Sequence, residues 1–358
     1  MNRRQLVTAL LALPAPSFEV AQTSTARALT ATSLFEISSK LYKSASAKSL
    51  TPSGPVVSNV DGQVIENLDI EASVGNGITV LHQGVVVRHC RIRHAGGHGV
   101  SATGATNLIL QELDINHVGA PLSGVAANEH CNNVNLDSCA STILRGIKAS
   151  KGSSNIYVES SERIRMSLLE LHDARGPAPR GQNVQFNRSP NSLLEDFSAE
   201  NGPTSWTEDN VSVFRSDRCI VRRGLVSYNN SPSGDGVMIE GSFDCLVEDV
   251  DALRQGNGAF AAVPQGEAGC GGCTFLRCRT RQTYNAPRDG RAAPSSGSLS
   301  IYTLTSAGAQ RHTITDCQYD ELANPRNLIW DLRAVNPGWT FKPGRFVPRP
   351  PIRLAFDW

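Results

Sequence analysis

Short apolar runs with no helical period recur along most of this chain, separated by polar turns. The clearest stretch runs from Asn191 to Val263, where three similar segments follow one another. Each segment has a short β-type run, a polar turn and a second short run, which begins Asp-Asn-Val, Asp-Gly-Val or Asn-Gly-Ala. Stacking the segments aligns Asp209, Asp235 and Asn257. Self-similarity at a period of about 20–30 residues, built from strand-like runs, predicts a β-solenoid.

The apolar residues of the predicted turns fall into columns. The columns of the first strand include Val134, Leu136 and Cys139, and the column of the second strand includes Ile147 and Ala259. The position just before the second strand is polar in most turns, and its predicted members are His98, Ser123, Arg145, Gln182, Asp209, Asp235 and Asn257. Because equal positions of stacked parallel strands share one face, we expect these polar residues along one edge.

Length and charge restrict the function only in part. The chain has 358 residues, too many for one ordinary compact core, which favours a repeat array. Its 34 Lys and Arg against 33 Asp and Glu leave a net charge of +1, so no overall field favours nucleic acid. The N-terminus has paired arginines, Arg3 and Arg4, before an apolar run shorter than the ~20 residues of a membrane span. This pattern is typical of a twin-arginine-like export signal and predicts a periplasmic or extracellular protein.

The nine cysteines fall mainly into two columns. One contains Cys219, Cys245 and Cys273, and both columns are predicted to be buried, since free Cys behaves as a small apolar residue. Neighbouring turns lie close enough for one oxidised pair. Cys270 and Cys273 form a CxxC motif without a second pair or a His nearby in the sequence, which argues against zinc. No cofactor is predicted, and calcium at Glu208, Asp209 and Asp235 stays an alternative.

Asp209 and Asp235 carry the chemistry that the sequence favours most. They lie one turn apart, so their Cα atoms should be about 5 Å from each other, with Glu208 beside them. Because two carboxylates at this distance repel each other, one of them should hold a proton near neutral pH. Glycoside hydrolysis needs one protonated acid and one carboxylate. The alternative is that the two Asp residues have only a structural role. Asp and Asn before Gly are common corner residues that hydrogen-bond their own backbone, and such residues also stack in β-helices without activity.

These motifs resemble those of right-handed parallel β-helix proteins of the pectate lyase and polygalacturonase superfamily, over about Val56 to Thr315. Polygalacturonase-like hydrolases carry Asn-Thr-Asp, Asp-Asp and Gly-His-Gly at this strand, where the present chain has Glu-Asp-Asn, Gly-Asp-Gly and Gly-Asn-Gly. The resemblance implies Asp235 as acid, Asp209 as base or its partner, and Asn257 at the His position. The His, the second Asp of the doublet and a following Arg-Ile-Lys are missing.

The predicted fold class is therefore all-β, a right-handed parallel β-helix with a helical N-terminal cap and an irregular C-terminal cap. Four segments are expected: an export signal over 1–22, a lead with a capping helix over 23–55, the β-helix over 56–318, and the C-terminal cap over 319–358. Whether the protein is a monomer or a trimer is left undecided.

Two long insertions fall at the same corner, and we expect the loops 172–181 and 282–297 to wall a groove. Their arginines suit carboxylate or sulfate groups, so an acidic polysaccharide or oligosaccharide is the expected ligand. The predicted substrate-binding residues are Arg145, Lys148, His172, Arg175, Arg180, Gln182, Trp206, Tyr228, Asn257, Tyr284 and Arg288.

Three functions stay possible on the sequence. Hydrolysis by the Asp pair is favoured. The second is β-elimination from a uronate, a polysaccharide lyase reaction that needs a group to neutralise the carboxylate and a base for the C5 proton. The candidates for these roles are Arg145, Lys148, His172, Arg180, Gln182 and Tyr228. C5 epimerisation shares that first step. The third is glycan binding without catalysis, as in tail-spike-like β-helices.

Overall fold

The computed structural model describes residues 49–119, 131–176, 181–202, 205, 207–229, 231, 234–282, 299–322, 329–330 and 338–358. These residues form a right-handed parallel β-solenoid of about 9 turns, which confirms the predicted fold class. No helix occurs in the described ranges, and so none there could cross a membrane. The predicted signal segment and the predicted capping helix, Ser33 to Ser46, lie outside them.

Each turn contributes one strand to each of two parallel sheets. The first sheet contains β1 (Thr51–Ser53), β3 (Val64–Ala72), β5 (Val86–His94), β7 (Ile109–His117), β9 (Ile143–Ser150), β11 (Arg165–His172), β13 (Leu193–Glu200), β15 (Ile220–Ser227), β17 (Leu246–Leu253), β19 (Thr274–Leu276), β20 (Arg279–Gln282), β22 (Thr313–Thr315), β23 (Cys317–Leu322) and β25 (Phe341–Pro343). The second contains β2 (Val56–Val57), β4 (Ile78–Val80), β6 (Val100–Thr103), β8 (Val134–Asp137), β10 (Ile156–Glu159), β12 (Val184–Asn187), β14 (Val211–Phe214), β16 (Asp235–Glu240), β18 (Gly258–Val263), β21 (Leu299–Thr303) and β24 (Ile329–Trp330).

The core lies between the two sheets and consists of stacked apolar columns. Side chains alternate between the two faces of a strand, so every second residue enters the core. One buried column of the first sheet consists of Val87, Leu110, Leu144, Met166, Leu194, Val221, Val247, Phe275 and Ile314. The predicted column of Cys219, Cys245 and Cys273 is confirmed, since each precedes residues that pair in register.

The predicted columns assign the strands of one turn to the wrong sheets. The structure places Val134 and Leu136 on β8 of the second sheet, and Ile147 on β9 of the first, so the sequence reading exchanged the two strands. Both strands present alternating apolar residues to the same core, and the segment of 118–131 before β8 is longer than its counterparts, which hid the correct phase. Ala259 is one residue out of register, because Phe260 pairs with Val237.

The outer face of the first sheet carries a row of charges that alternate in sign. In register, Asp69, Arg91, Asp114, Lys148 and Glu170 follow one another over five turns. Opposite charges stacked at strand spacing attract, whereas like charges directly opposite each other destabilise a sheet. This part of the solenoid therefore avoids placing like charges in register.

Buried amides form a ladder inside the corner between the first and the second sheet. Amide nitrogens donate to the amide oxygens of the next turn, at 2.7 Å from Asn133 to Asn155, 2.6 Å from Asn155 to Asn183 and 2.9 Å from Asn183 to Asn210. Asn210 donates at 2.8 Å to Gln255, which lies two turns farther along. A buried polar group is costly unless it is hydrogen-bonded, so a continuous stack satisfies each amide with the next one. The stack fixes the phase of successive turns.

The last residues form a strap that runs back along the outer face of the first sheet. Arg281 Nη2 donates to the Phe346 carbonyl at 2.6 Å, and the Arg349 amide donates to Asp251 Oδ2 at 2.6 Å. Farther along, Ser198 Oγ donates to the Ile352 carbonyl at 3.2 Å, and the Leu354 amide donates to Glu170 Oε2 at 2.6 Å. Residues 345–354 therefore cross the turns of β20, β17, β13 and β11.

The prediction from this geometry is that removing residues 345–358 destabilises the solenoid. Four hydrogen bonds that each contribute about 0.5–1.5 kcal/mol would be lost, so the free energy of unfolding should fall by about 2–6 kcal/mol. Thermal unfolding of the protein ending at Gly344 measures this. The control is Arg353→Ala, which removes only an exposed ion pair with Glu200 and should change stability by about 0–1 kcal/mol. Equal melting of the truncated and full chains would show that the strap is not stabilising.

Candidate functional site

A column of polar side chains lies at the corner where each turn enters the second sheet, two residues before the first inner residue of the strand. Its described members are Asn76, His98, Asn132, Ser154, Gln182, Asp209 and Asp235. We call this set the corner column. In most turns, the side chain accepts the backbone N–H of the next turn: Asn76 from His98 at 2.9 Å, His98 from Asn132 at 3.1 Å, Asn132 from Ser154 at 2.9 Å, and Ser154 from Gln182 at 3.2 Å.

Asp209 and Asp235 are consecutive members of the corner column, as the sequence predicted. Val211 and Val237 pair in register, and the Asp235 amide donates to Asp209 Oδ1 at 2.7 Å. Asp209 thus makes the same contact as Asn132 and Ser154 do in earlier turns. This contact is the structural role that a corner residue was expected to play, and it accounts for one oxygen of Asp209.

Asp235 differs from the other members because its two carboxyl oxygens are buried and complete no hydrogen bond with any described residue. The side chain is 0% exposed, and Asp209 is 3% exposed. Gly258 pairs with Asp235 in register, and its amide acts to lower the pKa of the Asp235 carboxyl. The amide does not meet the geometry of a hydrogen bond to either carboxyl oxygen. Buried polar atoms without partners are rare in proteins and concentrate at functional sites.

The electrostatics of the pair favour protonation. Burial, followed by the charges of Glu240 and Glu208, raises the pKa of Asp235 well above its usual range. Burial, Glu208 and Asp235 likewise raise the pKa of Asp209, and the Asp235 amide acts in the opposite direction. Whereas the outer row of the first sheet alternates its charges, this corner places two acids in register with two further acids nearby. Four acids so close together destabilise the folded protein, so stability does not explain why they occur at this corner.

Glycines allow the chain to close over the pair. A Cβ on Gly234 would overlap the Glu208 carbonyl, and one on Gly256 would overlap the Ser231 carbonyl. Asn229 Nδ2 donates to the Asp235 carbonyl at 3.3 Å and also to the Glu208 carbonyl. The backbone at this corner is therefore packed too closely for any larger side chain at the two glycines.

Asn257 does not belong to the corner column. Gly258 pairs with Asp235, and the Asn257 amide donates to the Gly234 carbonyl at 2.9 Å, which places Asn257 one residue too early. The corner before β18 spans 254–257, whereas the corner before β16 spans 228–234, so it has fewer residues. The similar Gly-Asn-Gly and Gly-Asp-Gly motifs concealed this difference of length.

Arg145 and Lys148 do not lie at the corner either, because both are on β9 of the first sheet. Lys148 Nζ lies 3.9 Å from Glu170 Oε1, and His172 Nε2 lies 3.0 Å from the same oxygen. We call Lys148, Glu170 and His172 the outer cluster. Burial raises the pKa of Glu170, but hydrogen bonds from His172 and from the Leu354 amide outweigh it, so the pKa lies below its usual range.

The other predicted binding residues are placed as follows. Arg175 is buried and donates to Ser153 Oγ, so it does not present its charge to solvent. Gln182 is a buried member of the corner column. Arg254 stacks on the Tyr228 ring at 5.4 Å and donates to the Tyr228 hydroxyl at 2.7 Å. Arg180, Trp206, Tyr284 and Arg288 lie outside the described residues, as does most of the 282–297 loop.

The metal expectations were incomplete. Within the described part of the chain, Glu208, Asp209 and Asp235 do not bring three ligand atoms together, whereas Cys270, Cys273 and His312 do, within 4.8 Å of one another. The sequence offered only the CxxC motif, because His312 follows 39 residues after Cys273. The sequence does predict that successive turns stack, and applying that register to the turn after Cys273 would have indicated His312 as its neighbour.

The raised pKa of Asp235 gives a pH-dependent prediction. A carboxyl whose pKa is higher in the folded than in the unfolded protein, about 3.9, stabilises the fold at low pH and loses that contribution as the pH rises. Asp235→Asn should therefore be more stable than the unchanged protein at pH 7–8, by about 1–3 kcal/mol, and equal to it near pH 3. Denaturant unfolding over a pH series measures the difference. Asp61→Asn, at an exposed carboxylate, controls for the lost charge.

No protein-family model and no curated protein matches this chain. Several solved structures share its fold. The Dettilon tailspike protein is 7% identical with a TM-score of 0.51, over 87% of this chain and 64% of that one. The A-module of the Azotobacter vinelandii mannuronan C-5 epimerase AlgE4 is 9% identical with a TM-score of 0.50, over 82% and 89%.

The catalytic domain of a GH87 α-1,3-glucanase, in complex with tetrasaccharides, is 7% identical with a TM-score of 0.51, over 82% of this chain and 62% of that one. The chain thus spans less than two thirds of the length of the tailspike and the glucanase structures. At these identities the likeness concerns the fold, and it agrees with the solenoid geometry: the chain is a right-handed parallel β-helix protein.

Proposed function

We propose that this protein cleaves glycosidic bonds of an acidic polysaccharide by hydrolysis, with Asp235 as the proton donor. The observation that carries the proposal is a fully buried carboxyl whose two oxygens complete no hydrogen bond within the described part of the chain, and whose pKa is raised by burial and by neighbouring acids. A glycosidase acid must be protonated near neutral pH, and an environment of this kind keeps it so.

Asp209 is the partner that ionises first. Its Oδ1 accepts the Asp235 amide at 2.7 Å, and a hydrogen bond to the charged form favours that form. Once one of the two acids is ionised, its charge raises the pKa of the other. The two environments therefore separate the roles: Asp235 donates the proton to the leaving oxygen, and Asp209 acts as base or nucleophile, with Glu208 beside it.

Access to the pair requires movement of the chain that covers it. Asp209 and Asp235 are shielded from solvent, and Asn229 Nδ2 bridges the carbonyls of Glu208 and Asp235. A substrate that reaches Asp235 therefore needs a local opening of this corner, a step of the kind that often limits turnover in enzymes with closing loops. Near this corner, Arg254 and Tyr228 offer a guanidinium and a ring to an acidic sugar.

The comparisons support a carbohydrate as the ligand class. The glucanase acts on a glucan and is seen with tetrasaccharides, and the epimerase acts on mannuronan. Both resemble this chain in fold, with TM-scores of 0.50 and 0.51. The uronate polymer of the epimerase agrees with the preference for an acidic substrate.

The test is activity on a panel of uronate and neutral polysaccharides. Asp235→Asn should abolish the release of reducing ends, because the amide cannot donate the proton, while leaving ligand binding intact. Glu240→Gln should stay active and shift the high-pH limb of the pH–rate profile to lower pH, because Glu240 is the largest charge effect that raises the pKa of Asp235.

The Glu240 variant is the matched control, since it lies on the same strand, β16, and removes one carboxylate. Unchanged turnover of the Asp235 variant would remove this residue from the mechanism. A complete loss of activity in both variants would indicate damage to the strand rather than to the acid.

The outer cluster supports a second candidate, β-elimination from a uronate. His172 is 26% exposed and Lys148 is 37% exposed, so both can meet a substrate without any movement of the chain. Glu170 accepts from His172 at 3.0 Å and thereby sets its tautomer, which leaves the other ring nitrogen as a possible base. Lys148 would neutralise the uronate carboxylate.

The lyase reaction makes a separate prediction. Its unsaturated product absorbs in the ultraviolet, which no hydrolysis product does, and His172→Ala should abolish this signal while Asp235→Asn retains it. The control is His89→Ala on β5, which removes an imidazole that is paired with Glu112 on the same sheet. Reducing ends without ultraviolet absorbance would exclude the lyase candidate, and neither signal with any glycan would leave C5 epimerisation or binding without catalysis.

A further inference from the structure

Three metal-ligating side chains meet in the buried core near the last turns of the solenoid. The ligand atoms of Cys270, Cys273 and His312 all lie within 4.8 Å of one another, and all three residues are buried. Cys270 Sγ lies 3.9 Å from His312 Nε2. Two sulfurs and an imidazole nitrogen at such distances match three corners of a tetrahedral zinc site, in which ligand atoms lie roughly 3.5–4 Å apart.

A fourth ligand is available on the turn before. Leu246 pairs with Thr274 in register, and the Thr274 amide donates to the Cys245 carbonyl at 2.8 Å, so Cys245 and Cys273 are direct neighbours in one column. Cys273 thus neighbours Cys245 in the column and groups with Cys270 and His312. The sulfur of Cys245 lies outside the group of atoms within 4.8 Å, so its side chain must turn to complete four ligands.

The local sequence explains why these groups converge. Gly271 and Gly272 separate the two cysteines of the CxxC motif, and Gly272 has a positive φ of 66°, which turns the chain so that both thiols enter the core. Thr274 pairs with Thr313, so His312 lies directly after Cys273 in the column that begins with Cys219 and Cys245. Backbone register therefore places all four residues.

We infer that Cys270, Cys273 and His312 bind one structural Zn²⁺ ion, and that Cys245 becomes the fourth ligand when its side chain turns toward this group. Three thiolates and one imidazole form a closed tetrahedral set of the kind that holds zinc in structural sites. Thiols must lose their protons to bind the metal, so binding releases protons to solvent and depends on pH. The site is separate from the Asp235 corner and does not depend on the proposed hydrolysis.

Metal binding changes the hydrogen bonds of His312. Without metal, Nδ1 accepts the Cys273 amide at 3.2 Å and Nε2 donates to the Leu304 carbonyl at 3.1 Å, which together define the tautomer. Coordination through Nε2 replaces the bond to Leu304 and moves the ring proton to Nδ1, so the Cys273 amide must turn to another acceptor. The free energy of binding zinc to such a set exceeds that of two hydrogen bonds, so the exchange is favourable.

Oxidation is the competing fate of these thiols. All nine cysteines are free in the structure, and a disulfide between neighbouring turns would use the sulfurs that the metal needs. The two outcomes differ in mass and metal content. Zinc leaves every thiol at its reduced mass, whereas each disulfide removes two hydrogens.

The experiment measures metal content and cobalt spectra of the purified full-length chain. Elemental analysis should find one zinc per chain, and replacement by Co²⁺ should give the thiolate-to-cobalt absorption and the intense visible bands of a tetrahedral site. Cys270→Ser should lower the zinc content by about tenfold or more. Cys219→Ser, in the same column but outside the group, is the matched control and should keep its zinc.

The unchanged protein provides a readout that does not depend on the folding of any variant. Removal of the metal with a chelator should lower its melting temperature, and added Zn²⁺ should restore it, because a ligand that binds only the folded state stabilises it. A chain without zinc that shows no thiolate band with Co²⁺ would overturn the inference. So would an intact mass that reveals a disulfide at Cys245, Cys270 or Cys273.

Discussion

The structure depends on one constraint: each turn hydrogen-bonds to the next through parallel strands about 4.8 Å apart, so equal positions lie directly above one another. Every side chain therefore has the equivalent residue of the next turn as its neighbour. Apolar residues form columns, amides form the ladder from Asn133 to Gln255, and the outer charges from Asp69 to Glu170 alternate in sign. A group that cannot interact favourably with its own kind is destabilising in such a fold, and selection should keep it only for another reason.

Asp235 is the clearest exception to that constraint. In most turns of the corner column from Asn76 to Asp209, the side chain accepts the amide of the next turn. The pattern stops at Asp235, whose oxygens complete no hydrogen bond with a described residue. Burial of this carboxyl, followed by the charges of Glu240 and Glu208, raises its pKa and stores an unfavourable interaction in the fold. An acid that is kept neutral is what glycosidic cleavage needs, so the same feature lowers stability and supports the proposed chemistry.

Two features connect the last turns of the solenoid to the rest of the chain. Near the C-terminus the apolar columns give way to sulfur and imidazole, with Cys245, Cys273 and His312 in successive turns. The strap then leaves the stack and links the turn of Arg281 to the turn of Glu170 through contacts that are perpendicular to the strands. A solenoid whose turns contact only their neighbours frays from its ends, and both features connect the terminal turns to the rest of the chain.

The sequence by itself determined the parallel solenoid, the column of Cys219, Cys245 and Cys273, and the register of Asp209 with Asp235. These follow from a repeat of nearly constant length, in which counting residues is the same as counting turns. Only the tertiary structure decided which sheet receives Val134 and Arg145, that Gly258 rather than Asn257 faces Asp235, and that His312 reaches Cys270. Where corners differ in length, the number of residues between two positions no longer gives their register. Contacts such as that of Leu354 with Glu170 join residues 184 positions apart, which no local pattern encodes.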